Sequence, residues 1–214
     1  MSRIAVIGGT GYAGSSIVAE AAARGHEVTA LSRTLPEAPV AGVSYVQGDA
    51  TDAATLTTAV DGAEVVVAAL APRGPLVGKV RGVYRTLAGL AAESGARLVV
   101  VGGWSSLRPA AGAPRFTESE EIPEQFRDEA LEIAAVVADD LPAAPASLDW
   151  LFVSPAQTYG AHAPFERSGA YRVGDDVALQ AEGGTHISAA DFGLAVVELV
   201  ERDEHHRAHV NVAA

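Results

Sequence analysis

Three glycines, at positions 8, 11 and 14 of "GGTGYAG", stand directly after the apolar run "RIAVI". A helix N-terminus presents unpaired N–H groups and the positive end of a dipole, so it attracts a pyrophosphate. The chain must turn tightly from strand to helix there and let phosphate approach its backbone, and only residues without a Cβ allow both. A strand before the motif and a helix after it are the context that gives it meaning. The spacing is G-x-x-G-x-x-G, one place off the more familiar G-x-G-x-x-G. Gly8, Gly9, Thr10, Gly11, Tyr12, Ala13 and Gly14 are the expected cradle of a dinucleotide.

The end of the second apolar run decides which dinucleotide. An Asp or Glu there binds the ribose hydroxyls of NAD, whereas an arginine accommodates a 2′-phosphate. The chain reads Ser32, Arg33, Thr34, with no acid, which favours NADP(H) over NAD(H). Gly48, Asp49 and Ala50 follow the third run and are expected near the adenine. Ala69, Leu70 and Ala71 follow the fourth, and Val101, Gly102 and Gly103 the fifth. These border the rest of the cofactor, because such ligands lie at the carboxyl ends of strands.

The elements that must position these residues alternate along the chain. Strands are expected at 3–7, 26–33, 43–49, 63–71, 96–103 and 147–155. Helices are expected at 11–25, 52–62, 78–95 and 124–139, and a terminal one is capped by Ser188 after a short strand. "HVNVA" adds a last strand. Strands alternating with helices indicate a parallel sheet, and unbroken Val/Ile runs indicate strands covered on both faces. The expected architecture is α/β: a doubly wound parallel sheet in three layers, one domain over 1–214, with a substrate-pocket region from about 154 to 187. Two stretches break the rhythm. One is 107–123, a long loop in which Thr117 and Glu120 could form a capping box. The other is 156–186, rich in glycine and polar residues.

Composition narrows the partners. A net charge of −12 repels nucleic-acid backbones and anionic membranes alike, so neither is expected. Cysteine is absent, which excludes disulfides and Cys-ligated zinc. His205, His206 and His209 crowd the C-terminus, but a solvated helix end explains them and no metal is expected. The first apolar run is too short for a signal core, so a cytoplasmic location is expected.

Together, "VIGGTGYAG", "ALSR", "VQGDATD", "VVVGGWSSL" and "ISAADFGLAVVELVE" resemble the atypical short-chain dehydrogenase/reductase family. Within it, the chain is most similar to the branch of biliverdin reductase B (flavin reductase) and the NmrA-like proteins. The resemblance spans nearly the whole chain. It implies a Rossmann fold with strand order 3-2-1-4-5-6 and a small substrate pocket beside the nicotinamide. It also implies a catalytic hydroxyl just past strand five, where this chain has Trp104 followed by Ser105. A polar residue two places after the strand-six proline, Pro155, would face the substrate; here it is Gln157, with Tyr159 and His162 close by.

One departure matters. Reductases of the wider family pair tyrosine with a lysine four residues on, and the lysine lowers the pKa of the tyrosine that protonates the carbonyl. The tyrosines here are 12, 45, 84, 159 and 171, and the only lysine is Lys79. That acid is missing. Hydride transfer to a flavin such as FMN or FAD, or to a quinone-like acceptor, needs little acid help, and Trp104, Tyr159 and Phe165 could wall such a ring. The expected activity is therefore an NADPH-dependent reduction of a small planar substrate. The alternative is a non-catalytic NADP(H) sensor with a protein partner. An epimerase or dehydratase fits less well, since only residues 156–214 follow the sixth strand. Arg73, Arg81 and Arg85 could attract an anionic substrate, although a solvated helix face explains them as well.

Overall fold

A computed structural model describes residues 1–118 and 122–214. Eight strands form one sheet: β1 Arg3–Ile7, β2 Glu27–Ser32, β3 Val43–Gln47, β4 Val65–Ala68, β5 Arg97–Val101, β6 Trp150–Ser154, β7 Arg172–Gly174 and β8 Ala208–Ala213. Their order is β3-β2-β1-β4-β5-β6-β8-β7, so the expected 3-2-1-4-5-6 core is present and two strands extend it. All neighbours run parallel except β7, which is antiparallel to β8.

The sheet is sandwiched because its strands are apolar on both faces. Ile4 and Val6 of β1 enter one core with Ile17, Val18, Phe192 and Val196. Ala5 and Ile7, pointing the other way, enter a second core with Leu56, Tyr84, Leu87 and Val137. Helices α1 (Tyr12–Ala23) and α5 (Ala189–Arg202) cover the first face. Helices α2 (Ala53–Val60), α3 (Val80–Ser94) and α4 (Glu124–Ala135) cover the second. Burial on both faces is the reason the strands read as continuous apolar runs rather than alternating ones. The fold is a Rossmann-type α/β sheet in three layers. No helix among the described residues is long and apolar enough to cross a membrane.

Several boundaries differ from the sequence reading. The fourth helix ends at Ala135 and continues as one π turn, Val136–Asp140. Its start is Glu124, with Pro123 in the cap position, and Thr117 lies in a separate 3-10 turn, Phe116–Glu118. Glu120, the other half of the expected capping box, lies outside the described residues. The short strand before α5 is only an isolated bridge between Thr158 and His186. Strand β7, three residues within a Gly-rich stretch, gave no periodic signal to read. The segment after β5 is docked rather than loose. Leu107, Arg115 and Thr117 are buried, and Arg108 bridges to Val177.

Candidate functional site

The cradle is built before any ligand is considered. Gly8 has φ +89, and its N–H and that of Gly9 both donate to the Leu31 carbonyl at 2.9 and 3.0 Å. A Cβ on Gly8 would stand 2.5 Å from the Ala69 carbonyl oxygen. On Gly14, a Cβ would stand 2.1 Å from the Gly8 carbonyl oxygen. Both glycines are required by the protein's own backbone, which brings the first turn of α1 against the end of β1. Gly11 caps α1 without a side-chain acceptor, and the first bond of the turn is Ser15 N–H to Gly11 O at 2.8 Å. The amides of Tyr12, Ala13 and Gly14 therefore precede the helical ladder, with no side chain capping them. This is the arrangement that receives an anion.

A cleft of about 350 Å³ opens beside them. Gly8, Thr10 and Gly11 line one side, and Ser32, Arg33, Gly48, Asp49 and Ala50 another. Ala69, Leu70 and Ala71 close it. Leu31, Arg73 and Leu76 also line it; Arg73 is one of the arginines considered above for an anionic substrate, whereas Leu31 and Leu76 carry no motif, because their place here depends on how β2 and the turn before α3 sit. Of the remaining candidates, Gly9 and Gly14 are packed behind the cradle, and Tyr12 and Ala13 open α1. Thr34 accepts the Ser32 hydroxyl through its carbonyl at 2.9 Å.

Charge around the cleft is uneven. Arg33 is exposed and, among the described residues, has no acidic partner, although the chain is strongly acidic. The Asp49 carboxylate accepts from the Thr51 amide at 2.8 Å and its hydroxyl at 2.9 Å. Those bonds, and then the attraction of Arg33 and Lys79, hold its pKa below the usual carboxylate range. The other arginines considered are occupied. Arg73 pairs with Glu129 at 2.7 Å, and Arg81 and Arg85 share Asp140 at 2.7 and 3.3 Å.

Beyond β4 the same edge of the sheet is made differently. Val101 ends β5, Gly102 and Gly103 follow it, and the Gly102 amide donates to Val153 O at 2.8 Å. Trp104–Ser106 form a 3-10 turn, with Trp104 and Ser105 half-buried and Ser106 fully buried. The Trp104 ring stacks on Phe116 at 4.0 Å. Pro155 is buried just past β6 and Gln157 is exposed, its backbone amide donating to the Thr185 hydroxyl at 3.2 Å. Tyr159 packs between Tyr12 and Phe192, with centroids at 5.2 and 4.8 Å. Its buried hydroxyl has no hydrogen-bond partner among the described residues, and burial pushes its pKa up. Phe165 lies on His186 at 4.3 Å. The three aromatics expected to form one wall thus pack on separate partners, none of them shared. His162 is exposed in a surface turn.

The C-terminal histidines separate, which corrects their reading as one solvated helix end. His206 bonds Asp149 at 2.9 Å, whereas His209 sits inside β8. Asp149, Asp203 and His206 do approach one another at the opposite end of the sheet. The buried Arg97 guanidinium already forms ion pairs with both carboxylates there, at 3.1 and 3.3 Å.

Comparison with known proteins agrees with this geometry. Residues 8–203 match the NAD(P)H-binding family. The uncharacterised protein YwnB of Bacillus subtilis is 31% identical over 208 residues, covering 95% of this chain and 94% of that protein. A Streptococcus pneumoniae structure described as a candidate NADH-flavin reductase superposes with a TM-score of 0.88 at 28% identity, covering 100% of this chain and 99% of its own. A candidate epimerase from Bacteroides thetaiotaomicron gives 0.87 at 28% identity, covering 99% and 96%.

Proposed function

Because the chain belongs to the NAD(P)H-binding family, we propose that it is an oxidoreductase that uses NADPH to reduce a small planar acceptor, a flavin or a quinone-like ring. The observation that carries this reading is the cleft whose floor is the uncapped start of α1 and whose rim holds the unpaired Arg33. The glycine contacts fit a dinucleotide cradle, since they let the end of β1 and the start of α1 meet in the tight turn such a ligand needs. The amides of the first α1 turn would hold the pyrophosphate, and Arg33 the 2′-phosphate. Ala69 to Ala71 would border the nicotinamide ribose, and the Trp104–Ser106 turn the acceptor.

When bound, a reduced nicotinamide supplies a hydride, and the chain supplies position and exclusion of water. Its residues do not supply a strong acid. Lys79 lies four residues after no tyrosine, and the buried Tyr159 hydroxyl holds its proton more tightly than a free phenol. An acceptor that spreads charge over its own ring is the substrate such a site can serve.

The test is to mix the purified chain with NADPH and FMN or a quinone and follow the nicotinamide absorbance. Turnover supports the reductase. Tight NADPH binding with no oxidation by any acceptor would overturn it in favour of an NADP(H)-sensing role.

A further inference from the structure

We propose that Ser154, His209 and Arg115 form a positioning relay that fixes the Trp104–Ser106 turn, and that the imidazole is wired as a donor to Ser154 rather than as its base. The part of this that concerns the acceptor rests on the reading above; the wiring does not.

Ser154 ends β6, fully buried, with its Oγ 2.8 Å from His209 Nε2 on the neighbouring β8. A buried serine at that distance from a histidine has the outline of a nucleophile and its general base. The hydrogen-bond chemistry of the two flanking groups decides otherwise. A guanidinium can only donate. Arg115 Nη1 stands 3.2 Å from His209 Nδ1, so Nδ1 accepts and the ring proton is on Nε2. A carbonyl can only accept, and Gly103 O is 2.8 Å from the same Ser154 Oγ. The serine therefore gives its proton to Gly103 and accepts the one from Nε2–H. This single assignment satisfies every bond of the chain. The reverse tautomer would set two N–H groups, those of Nδ1 and Arg115, against each other.

The ring stays neutral. Burial, then the Arg115 and Arg108 charges, push the His209 pKa down to about 3, against a smaller opposing pull from Asp175. The Phe152 ring of β6 meets the imidazole edge-on at 4.9 Å.

The relay grips the turn at both ends. Ser154 holds the Gly103 carbonyl that precedes it, and Arg115 donates to the Ser106 carbonyl that closes it. The residue after Arg115 is Phe116, on which Trp104 stacks. Arg108, bonded to Asp176 at 2.9 Å, pins the same segment to the turn after β7. A side chain on β8 thus sets residues that follow β5, where the reading above puts the acceptor, and none of which line the cleft at the start of α1.

Two measurements on the full chain test this. The first is ring-nitrogen NMR of 15N-histidine-labelled protein. One histidine should remain neutral with its proton on Nε2 between about pH 5 and 8, where ordinary imidazoles titrate, and its signals should vanish in His209→Gln. A proton on Nδ1 of that residue, or titration in that window, overturns the wiring. The second uses Trp104 emission in a Trp150→Phe background, with Arg115→Lys and Ser154→Ala as separate variants. Each should shift the emission and raise the KM for FMN about threefold or more, while the NADPH Kd stays within about twofold. Unchanged emission in folded variants overturns the positioning role, as does an equal loss of NADPH and FMN affinity. If the wild-type chain oxidises no NADPH with FMN or with any quinone, the oxidoreductase reading fails, and the NMR and emission results still decide the relay.

Discussion

The ligand edge of the sheet has two halves built on opposite principles. The β1–β4 half is defined by what is missing: no Cβ at Gly8 or Gly14, no side-chain cap on α1, and no partner for Arg33 among the described residues. The β5–β8 half is defined by buried polar side chains that satisfy one another: Ser154 with His209, Arg115 with Ser106, Asp191 with Ser188 and Ser168. The first half leaves backbone groups waiting for an outside partner. The second pairs these polar groups internally and so holds a shape, while Ser106 Oγ and the Tyr159 hydroxyl stay buried with no partner among the described residues. On the function proposed above, a site that receives a charged cofactor and also presents an acceptor in a fixed place needs both.

That contrast can be broken most sharply at Gly14. Gly14→Val places atoms where a Cβ alone is 2.1 Å from backbone oxygen, which no rotamer relieves. We expect a loss of about 3 kcal/mol or more and no measurable NADPH binding, read by thermal melting and fluorescence titration. A stable variant that still binds NADPH would show that the cradle is not set by backbone contact.

The matching change in the other half is Asp191→Ala. This carboxylate, 1% exposed, accepts from the Ser168 and Gly169 amides at 2.8 Å each and from the Ser188 hydroxyl at 2.9 Å. Loss of these bonds should cost about 2–3 kcal/mol in urea melts and leave NADPH affinity unchanged. Burial alone would raise its pKa, but the donated bonds outweigh it and the net shift is downward. A depressed carboxylate stabilises the fold above its unfolded pKa of about 3.9, and that stability is lost as pH falls through the folded value. The gap between wild type and Asp191→Asn should therefore be constant near neutrality and close in acid. A gap that widens in acid would contradict this role.

Arg33→Ser returns to the first half with a binding effect only. NADPH affinity should fall about tenfold, the weight of a charge-assisted bond, while NADH affinity moves by less than about twofold. Equal losses for the two cofactors would remove the 2′-phosphate from the argument. The smallest effect belongs to neither half. Arg3→Ala breaks a 3.7 Å ion pair with Glu64 in which both side chains are more than half exposed. Stability should change by no more than about 0.5 kcal/mol, and a larger loss would mean that surface pairing carries weight in this fold.

How much of this the chain announces in advance follows the same division. Gly8, Gly11 and Gly14 lie within seven consecutive residues, and Arg33 ends a strand that periodicity already reveals. The relay could not be read that way. Arg115 and His209 are 94 residues apart and Ser154 and His209 are 55 apart, with no spacing to link them. His209 opens "HVNVA", the run expected as the last strand, but nothing in that run tells that its ring meets Ser154 and Arg115 across the sheet. The aromatics failed for a related reason: Trp104, Tyr159 and Phe165 could be counted, but their partners Phe116, Tyr12 and His186 depend on which loops meet.

By itself, the sequence determined the doubly wound sheet and the glycine turn that opens α1, because apolar periodicity and missing Cβ atoms act on the chain locally. Only the tertiary structure decided where β7 and β8 join the sheet and which tautomer His209 holds. It also decided that the segment after β5 is clamped. Those outcomes depend on hydrogen-bond donors and acceptors brought together across the sheet, and their pairing exists only once the strands have taken their order.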